Sequence, residues 1–196
     1  MPADTMLDRR NLVAELVRRR GQAAIVTGLG SPTYDCADSG DSPLNFYLWG
    51  AMGGAAMLGL GVALARPERR VIVLTSDGEM LMGVGSFATI AVQRPPNLAI
   101  LVLDNERFAE TGAQRGLTGF GVDIAAIAAG AGIPNTMTAR SLQERETLLA
   151  AVTDEEGPVV AVAKVALSDD PVALPSRDGT LLHRRFCTAL MNADPT

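Results

Sequence analysis

Two kinds of hydrophobic pattern alternate along the chain. Residues 23–27, 71–75, 98–103 and 158–165 form short runs with little or no polar alternation. Such runs read as strands buried on both faces. The run Val71-Ile72-Val73-Leu74-Thr75 is the clearest, because three of its four apolar residues are β-branched. Between the runs lie segments of helical character. Residues 5–20 carry Leu7, Leu12, Val13, Leu16 and Val17 at helical spacing. Residues 53–65 are rich in Ala and Gly and stop near Pro67, and residues 80–93 are closed by Pro95-Pro96. Further helices are expected over 123–131 and 141–152, the second opening on Ser141 and Glu144, which fit a capping box. A closing helix is expected over 180–190. Residues 31–43 and 105–120 are polar and turn-rich and read as loops, and 169–177 as a Pro- and Asp-rich connector.

Apolar strands alternating with helices predict a doubly wound α/β fold. Its sheet is mostly parallel, with helices on both faces. The 196 residues suit one domain, 1–196, with 166–196 as connector and closing helix. Ligands of such folds bind at the carboxyl ends of strands, which selects the loops after Thr27, Thr75 and Leu103. Gly is plentiful (20) and aromatics scarce (4%), as suits backbones that approach each other or a phosphate closely. The net charge of −5, with no basic stripe, argues against nucleic acid. Arg18, Arg19 and Arg20 complement the end of the first helix. Cys36 and Cys187 have no CxxC spacing, so neither a zinc or iron–sulfur site nor a disulfide framework is expected. The first residues lack a signal-peptide pattern. The longest apolar stretch, 50–65, is interrupted by glycines and does not read as a membrane span. The expected location is the cytoplasm.

The second and third loops carry the chemistry. The strand over 71–75 delivers Ser76-Asp77-Gly78-Glu79, and the strand over 98–103 delivers Asp104-Asn105, with Asp77 and Asn105 28 positions apart. A carboxylate and an amide oxygen therefore emerge at the same sheet edge. Hard oxygen ligands that leave room for water and phosphate oxygens suit Mg2+. Gly78 allows a phosphate to approach the backbone, and a helix beginning near Met80 aims N–H groups at it.

This arrangement resembles the diphosphate-binding domain of thiamine-diphosphate (TPP) enzymes. Their Gly-Asp-Gly … Asn-Asn motif appears here as Ser76-Asp77-Gly78 … Asp104-Asn105. The resemblance implies Mg2+ held by the side chains of Asp77 and Asn105 and the main-chain carbonyl of Arg107. Leu48-Trp49-Gly50-Ala51-Met52-Gly53 is similar to the family's aminopyrimidine-gripping segment. That implies a hydrogen bond from the 4′-amino group to the Gly50 carbonyl, and Met52 as the apolar wedge that bends the cofactor. The same resemblance sets Gly78, Glu79, Phe108 and Ala109 against the cofactor. The stretch from Asn105 to Gln114 resembles the loop of phosphonopyruvate and sulfopyruvate decarboxylases, with Glu110 in place of Ser and Ala113 in place of Gly.

The glutamate that activates TPP lies, in this family, on a separate pyrimidine-binding domain, for which this chain has no room. No cofactor-activating residue is expected here. The resemblance implies a pyrimidine-binding α subunit that carries the Glu, in a hetero-oligomer with an even number of chains. It implies a small anionic 2-oxo acid as substrate, first of all 3-sulfopyruvate, converted to sulfoacetaldehyde and CO2. Arg107 and Arg115 are the cations nearest the site. A charge at Glu110 would disfavour a dianionic substrate. His183, in the closing helix, and the two cysteines read as structural. Three alternatives stand beside this reading. The chain could serve another split TPP enzyme, acting on phosphonopyruvate or joining two carbonyl compounds as acetolactate synthase does. It could be a non-catalytic α/β scaffold or regulatory subunit, which the departures at Ser76, Asp104 and Glu110 permit. A nucleotide-binding domain is disfavoured, because Gly28-x-Gly30 lacks the third glycine and there is no GxxxxGK[ST].

Overall fold

The computed structural model describes residues 6–167 and 174–192. Its centre is a six-stranded sheet in the order β2-β1-β3-β4-β8-β7, with every neighbouring pair parallel. The strands are β1 (Ala24–Thr27), β2 (Asn45–Tyr47), β3 (Val71–Ser76), β4 (Leu98–Asp104), β7 (Asn135–Ala139) and β8 (Val159–Lys164). The helices are α1 (Arg9–Arg19), α2 (Ser31–Asp38), α3 (Ala55–Ala65), α4 (Asp77–Met82), α5 (Ser86–Gln93), α6 (Ile124–Gly130), α7 (Arg145–Thr153) and α8 (Gly179–Asn192). A hairpin of β5 (Arg107–Phe108) and β6 (Gln114–Arg115) stands apart from the sheet. Every residue of β4 is buried, and alternate residues feed two apolar clusters, one on each face. The expected doubly wound fold is therefore present. Among the described residues no helix is long and apolar enough to cross a membrane.

The chain order places the site. From β1 the chain moves outward to β2, then returns past β1 to form β3. This reversal opens a crevice between β1 and β3 at their carboxyl ends. The register pairs Thr27 with Leu74 and Ser76 with Leu103, so the loops after β1, β3 and β4 open beside one another.

Several elements differ from the sequence expectation, each for an identifiable reason. Helix α1 begins at Arg9, not in the region of residue 5 (which lies outside the described residues). The Asp8 carboxylate caps it by accepting the Asn11 N–H at 2.7 Å. The expected loop over 31–43 contains α2, which starts on Pro32 in its first turn and buries Tyr34 and Cys36. The expected single helix over 80–93 is two helices, and the first begins at Asp77. The break comes at Gly83, where a Cβ would lie 2.1 Å from the Gly53 carbonyl oxygen. Strands β2 and β7 lie at the sheet edges. β2 has only three residues, and β7, Asn-Thr-Met-Thr-Ala, is half exposed, so neither shows a continuous apolar run. Glu144 accepts from the Ser141 hydroxyl and the Arg140 N–H, both at 2.8 Å. The Ser141 side chain caps no backbone N–H, and one 3-10 turn precedes α7, so the reciprocal pair of bonds that defines a capping box does not form. Residues 169–173 of the expected connector lie outside the described residues.

The last described segment straps the site's outer edge. The Ser176 carbonyl accepts from the Trp49 indole N–H at 2.9 Å, and the Arg177 guanidinium lies 4.9 Å from the Trp49 ring centre. Farther along, Arg185 pairs with Asp41 at 2.6 Å, and Phe186 packs on Phe46 with ring centres 5.4 Å apart.

At the opposite end of the sheet, the buried Asn97 amide points at the carbonyls of Ala63, Arg66 and Arg69, at 3.1, 2.9 and 2.7 Å. It ties the end of α3 to the start of β4. Asn97→Ala strands buried carbonyls and should cost about 1–3 kcal/mol. A urea titration should show a lower midpoint with an unchanged slope. An unchanged midpoint would show that the amide holds nothing together.

Candidate functional site

A cavity of about 250 Å3 occupies the crevice, lined by the loops after β1, β3 and β4. Of the residues singled out from sequence, Met52, Gly78, Glu79, Asn105, Arg107, Phe108 and Ala109 line it. Gly50 lies outside the lining, exposed, with φ +75°. Asp77 lies beneath the cavity, only 1% exposed. The Phe108 ring covers Gly78 so closely that a Cβ there would meet ring carbons at 3.0 and 3.2 Å.

The side chain facing Asp77 is Asp104, not Asn105. The Thr118 hydroxyl stands 2.9 Å from one Asp77 carboxylate oxygen and 2.8 Å from one of Asp104. A hydroxyl carries a single proton, so it can donate to only one of the two. Both acids are buried. Burial and the Asp104 charge raise the Asp77 carboxyl to about 6. Lys164 answers Asp104, with its ammonium 2.6 Å from the second Asp104 oxygen. The Asn105 side-chain oxygen accepts the Arg107 N–H at 2.9 Å and closes a tight turn. Among the described residues no three His, Cys, Asp or Glu side chains form a ready-made cation cage. A cation at Asp77 and Asn105 would thus take most of its ligands from backbone, water and a bound phosphate, as Mg2+ does.

Glu79 reaches away from this pair, across the crevice. It is 1% exposed, and one oxygen accepts the Thr75 hydroxyl at 2.8 Å. That oxygen fills the place of a Gly28 side chain, where a Cβ would lie 1.4 Å from it. Burial raises the Glu79 carboxyl and the Thr75 hydroxyl partly offsets this; the net shift is upward. Glu79 therefore packs the start of α4 against the loop after β1. The close approach of Gly53 and Gly83 fixes the segment carrying Met52.

The charged residues of the rim fall in unexpected places. Glu110 lines the cavity and folds onto the start of α2, with one oxygen 3.0 Å from the position of a Gly30 Cβ. The helix dipole there favours a negative charge, which offsets part of the expected repulsion. Burial raises the Tyr34 hydroxyl, and the adjacent Glu110 charge raises it further. Arg107 lines the cavity and also donates to the Ala113 carbonyl at 3.2 Å. Arg115 does not line it. It donates to the Gly119 carbonyl and lies over the Phe120 ring at 4.4 Å. Arg9 is a lining residue that sequence reasoning missed, buried and paired with Asp35 at 2.5 and 3.3 Å. Thr118, Asp104 and Lys164 were missed as a group; a Thr in a loop and a Lys closing an apolar run carry no local signal. His183 lies on α8, 3.4 Å from the Cys187 sulfur. Burial pushes the Cys36 thiol up to about 12, in keeping with a structural role.

The raised Asp77 carboxyl makes a stability prediction for the metal-free chain. Between the ordinary aspartate value of 3.8 and about 6, the folded chain holds a proton that the unfolded chain has released. Stability therefore falls as pH rises through that window, by about 2–3 kcal/mol in total. In EDTA, Asp77→Asn should stabilise the chain near pH 7.5 and lose that advantage near pH 4. Denaturant titrations at both pH values check this; an equal effect at the two would show that ionised Asp77 is not strained by its surroundings.

Comparison with known proteins adds identity to this geometry. Residues 29–163 match the family described as thiamine pyrophosphate enzyme, C-terminal TPP binding domain. The chain is 33% identical over 183 residues to the sulfopyruvate decarboxylase subunit beta of Methanocaldococcus jannaschii, covering 93% of this chain and 96% of that one. It is 41% identical over 149 residues to the phosphonopyruvate decarboxylase of Streptomyces viridochromogenes, covering 76% of this chain and 36% of that one. Among solved structures it superposes on benzoylformate decarboxylase from Polynucleobacter necessarius with a TM-score of 0.67, at 19% identity, over 85% of this chain and 34% of that one.

Proposed function

The chain belongs to the TPP enzymes, as a member of their C-terminal TPP-binding domain family, and on that premise we propose that it is the β subunit of a split TPP- and Mg2+-dependent 2-oxo acid decarboxylase acting on 3-sulfopyruvate. It is a single diphosphate-binding domain that works only with a pyrimidine-binding α subunit, in a cytoplasmic hetero-oligomer with an even number of chains. No nucleic acid or membrane takes part. The observation that carries the reading is the carboxyl edge itself. Two buried carboxylates share one hydroxyl there, beside an apolar cavity. Similarity over nearly the whole length of a β subunit, and over only 36% of a phosphonopyruvate decarboxylase, supports the split form and sulfopyruvate. The higher identity to the latter, 41%, makes phosphonopyruvate the second substrate to test.

The residues fit the cofactor. The uncompensated Asp77 charge suits a divalent cation held by Asp77, the Asn105 side chain and the Arg107 carbonyl. Gly78 exposes backbone to a diphosphate, with Glu79, Phe108 and Ala109 around it. The Gly50 carbonyl and Met52 take the aminopyrimidine side. The cavity, about 250 Å3, falls below the ~300–1,000 Å3 usual for a small-molecule site, as expected of half a site completed by a partner. When bound, TPP serves as the sink for the electron pair released as CO2 leaves. This chain's part is to orient the cofactor, exclude water with Met52 and Phe108, and leave proton transfer at the pyrimidine to the partner's glutamate. Arg107 is the cation positioned to meet the substrate's anionic end.

CO2 release from 3-sulfopyruvate, phosphonopyruvate and pyruvate tests this, using the chain with its α partner and each chain alone. The expected result is TPP- and Mg2+-dependent release from 3-sulfopyruvate by the complex only. In the same complex, Asp77→Asn should raise the Kd for TPP by roughly tenfold or more, about 1.4 kcal/mol. Preferred turnover of another 2-oxo acid would replace the substrate, and a carboligated product would replace the reaction. A complex that binds no TPP would leave the scaffold reading in its place.

A further inference from the structure

Lys164 closes an apolar strand, and the site as described gives it only the part of a counter-charge to Asp104. It is 13% exposed and faces the turn that carries two of the proposed metal ligands. Its ammonium bridges Asp104 at 2.6 Å and Glu106 at 2.8 Å. Between them the Glu106 backbone adopts φ +61°, one of three positive-φ non-glycine residues among the described ones. A glutamate pays a steric penalty there, so its surroundings must hold it.

Four contacts do so. The Glu106 N–H donates to Asp104 at 3.1 Å, and the Glu106 side chain is held by Lys164. The Glu106 carbonyl accepts the Gly116 N–H at 2.7 Å, and Gly119 packs against the same carbonyl, leaving 3.2 Å for a Cβ. Asp104 is fixed in turn, its carbonyl accepting the Val165 N–H at 3.0 Å beside its strand partner Lys164. The left-handed residue stands between Asn105 and Arg107, and its conformation decides where the Asn105 oxygen and the Arg107 carbonyl point.

We infer that Lys164 is the positioning residue of the metal turn. By tying Asp104 to Glu106 it holds Glu106 left-handed, and so presents the Asn105 and Arg107 oxygens together with Asp77. The inference rests on the reading of a TPP–Mg2+ site given above. Contacts around a metal's own ligands commonly govern its affinity, and here the governing contact comes from a strand that contributes no ligand.

The test uses the complex of this chain with its α subunit and two readouts that need no turnover. One is Mn2+ affinity at saturating TPP, followed by electron paramagnetic resonance. The other is amide hydrogen exchange of residues 104–108 without metal. Lys164→Met should weaken Mn2+ binding by roughly tenfold or more and speed exchange of the Glu106 and Arg107 amides. Lys164→Arg, which keeps the charge, should recover most of both. Glu106→Ala cuts the tie from its half-exposed end and should shift both readouts in the same direction. It decides the matter if Lys164→Met does not fold. Faster exchange with unchanged Mn2+ affinity would overturn the inference. So would tighter Mn2+ binding with unchanged exchange, which would make Lys164 a counter-charge only. A wild-type complex that binds neither TPP nor Mn2+ would instead remove the functional reading, and this inference with it.

Discussion

Two carboxylates at the ends of adjacent strands cannot both be buried and ionised without compensation, and this constraint organises the site. Asp77 opens α4 directly after β3 and Asp104 ends β4, both nearly inaccessible, and the Thr118 hydroxyl between them has one proton to give. Lys164 neutralises Asp104 from the side of β8. Asp77 has no such partner among the described cations, and its carboxyl is accordingly raised. On the proposed reading, a bound divalent cation would supply the missing counter-charge.

Close backbone approaches shape the rest of the crevice. Gly28 leaves room for the Glu79 carboxylate, and Gly53 and Gly83 lie in contact. A side chain at Gly53 or Gly83 would push the Met52 segment away from the loop after β3, and one at Gly28 would displace the Glu79 carboxylate. The glycine content therefore reflects positional demands. The strap from Ser176 and Arg177 onto Trp49 restrains the same segment from outside, so the wall bearing Met52 is held on both sides while its inner face stays apolar.

Much of this was legible in the sequence. The buried strands β1, β3, β4 and β8 announce themselves as continuous apolar runs, and their alternation with helices gives the sheet type. Edge strands are half solvated, which is why Asn45–Tyr47 and Asn135–Ala139 carried no such signal. The helix break at Gly83 depends on contact with Gly53, thirty residues earlier in the chain, which no local pattern encodes. At the site, the spacing from Asp77 to Asn105 located the loops, and most of the residues named from it line the cavity. The partnership of Asp77 with Asp104 came instead from strand register, and Thr118 and Lys164 arrive from distant parts of the chain. Arg115 looked like a substrate cation on proximity in sequence, but its guanidinium is occupied by Gly119 and Phe120.

The proposal that this chain is one half of a TPP enzyme rests on the buried carboxyl pair at the sheet edge and on similarity along 96% of a β subunit. Native mass spectrometry of the complex purified from its own source, with no cofactor added, tests that claim most directly. The account predicts a second chain in equal number, with TPP and Mg2+ retained in the assembly. A homo-oligomer carrying no TPP would contradict it.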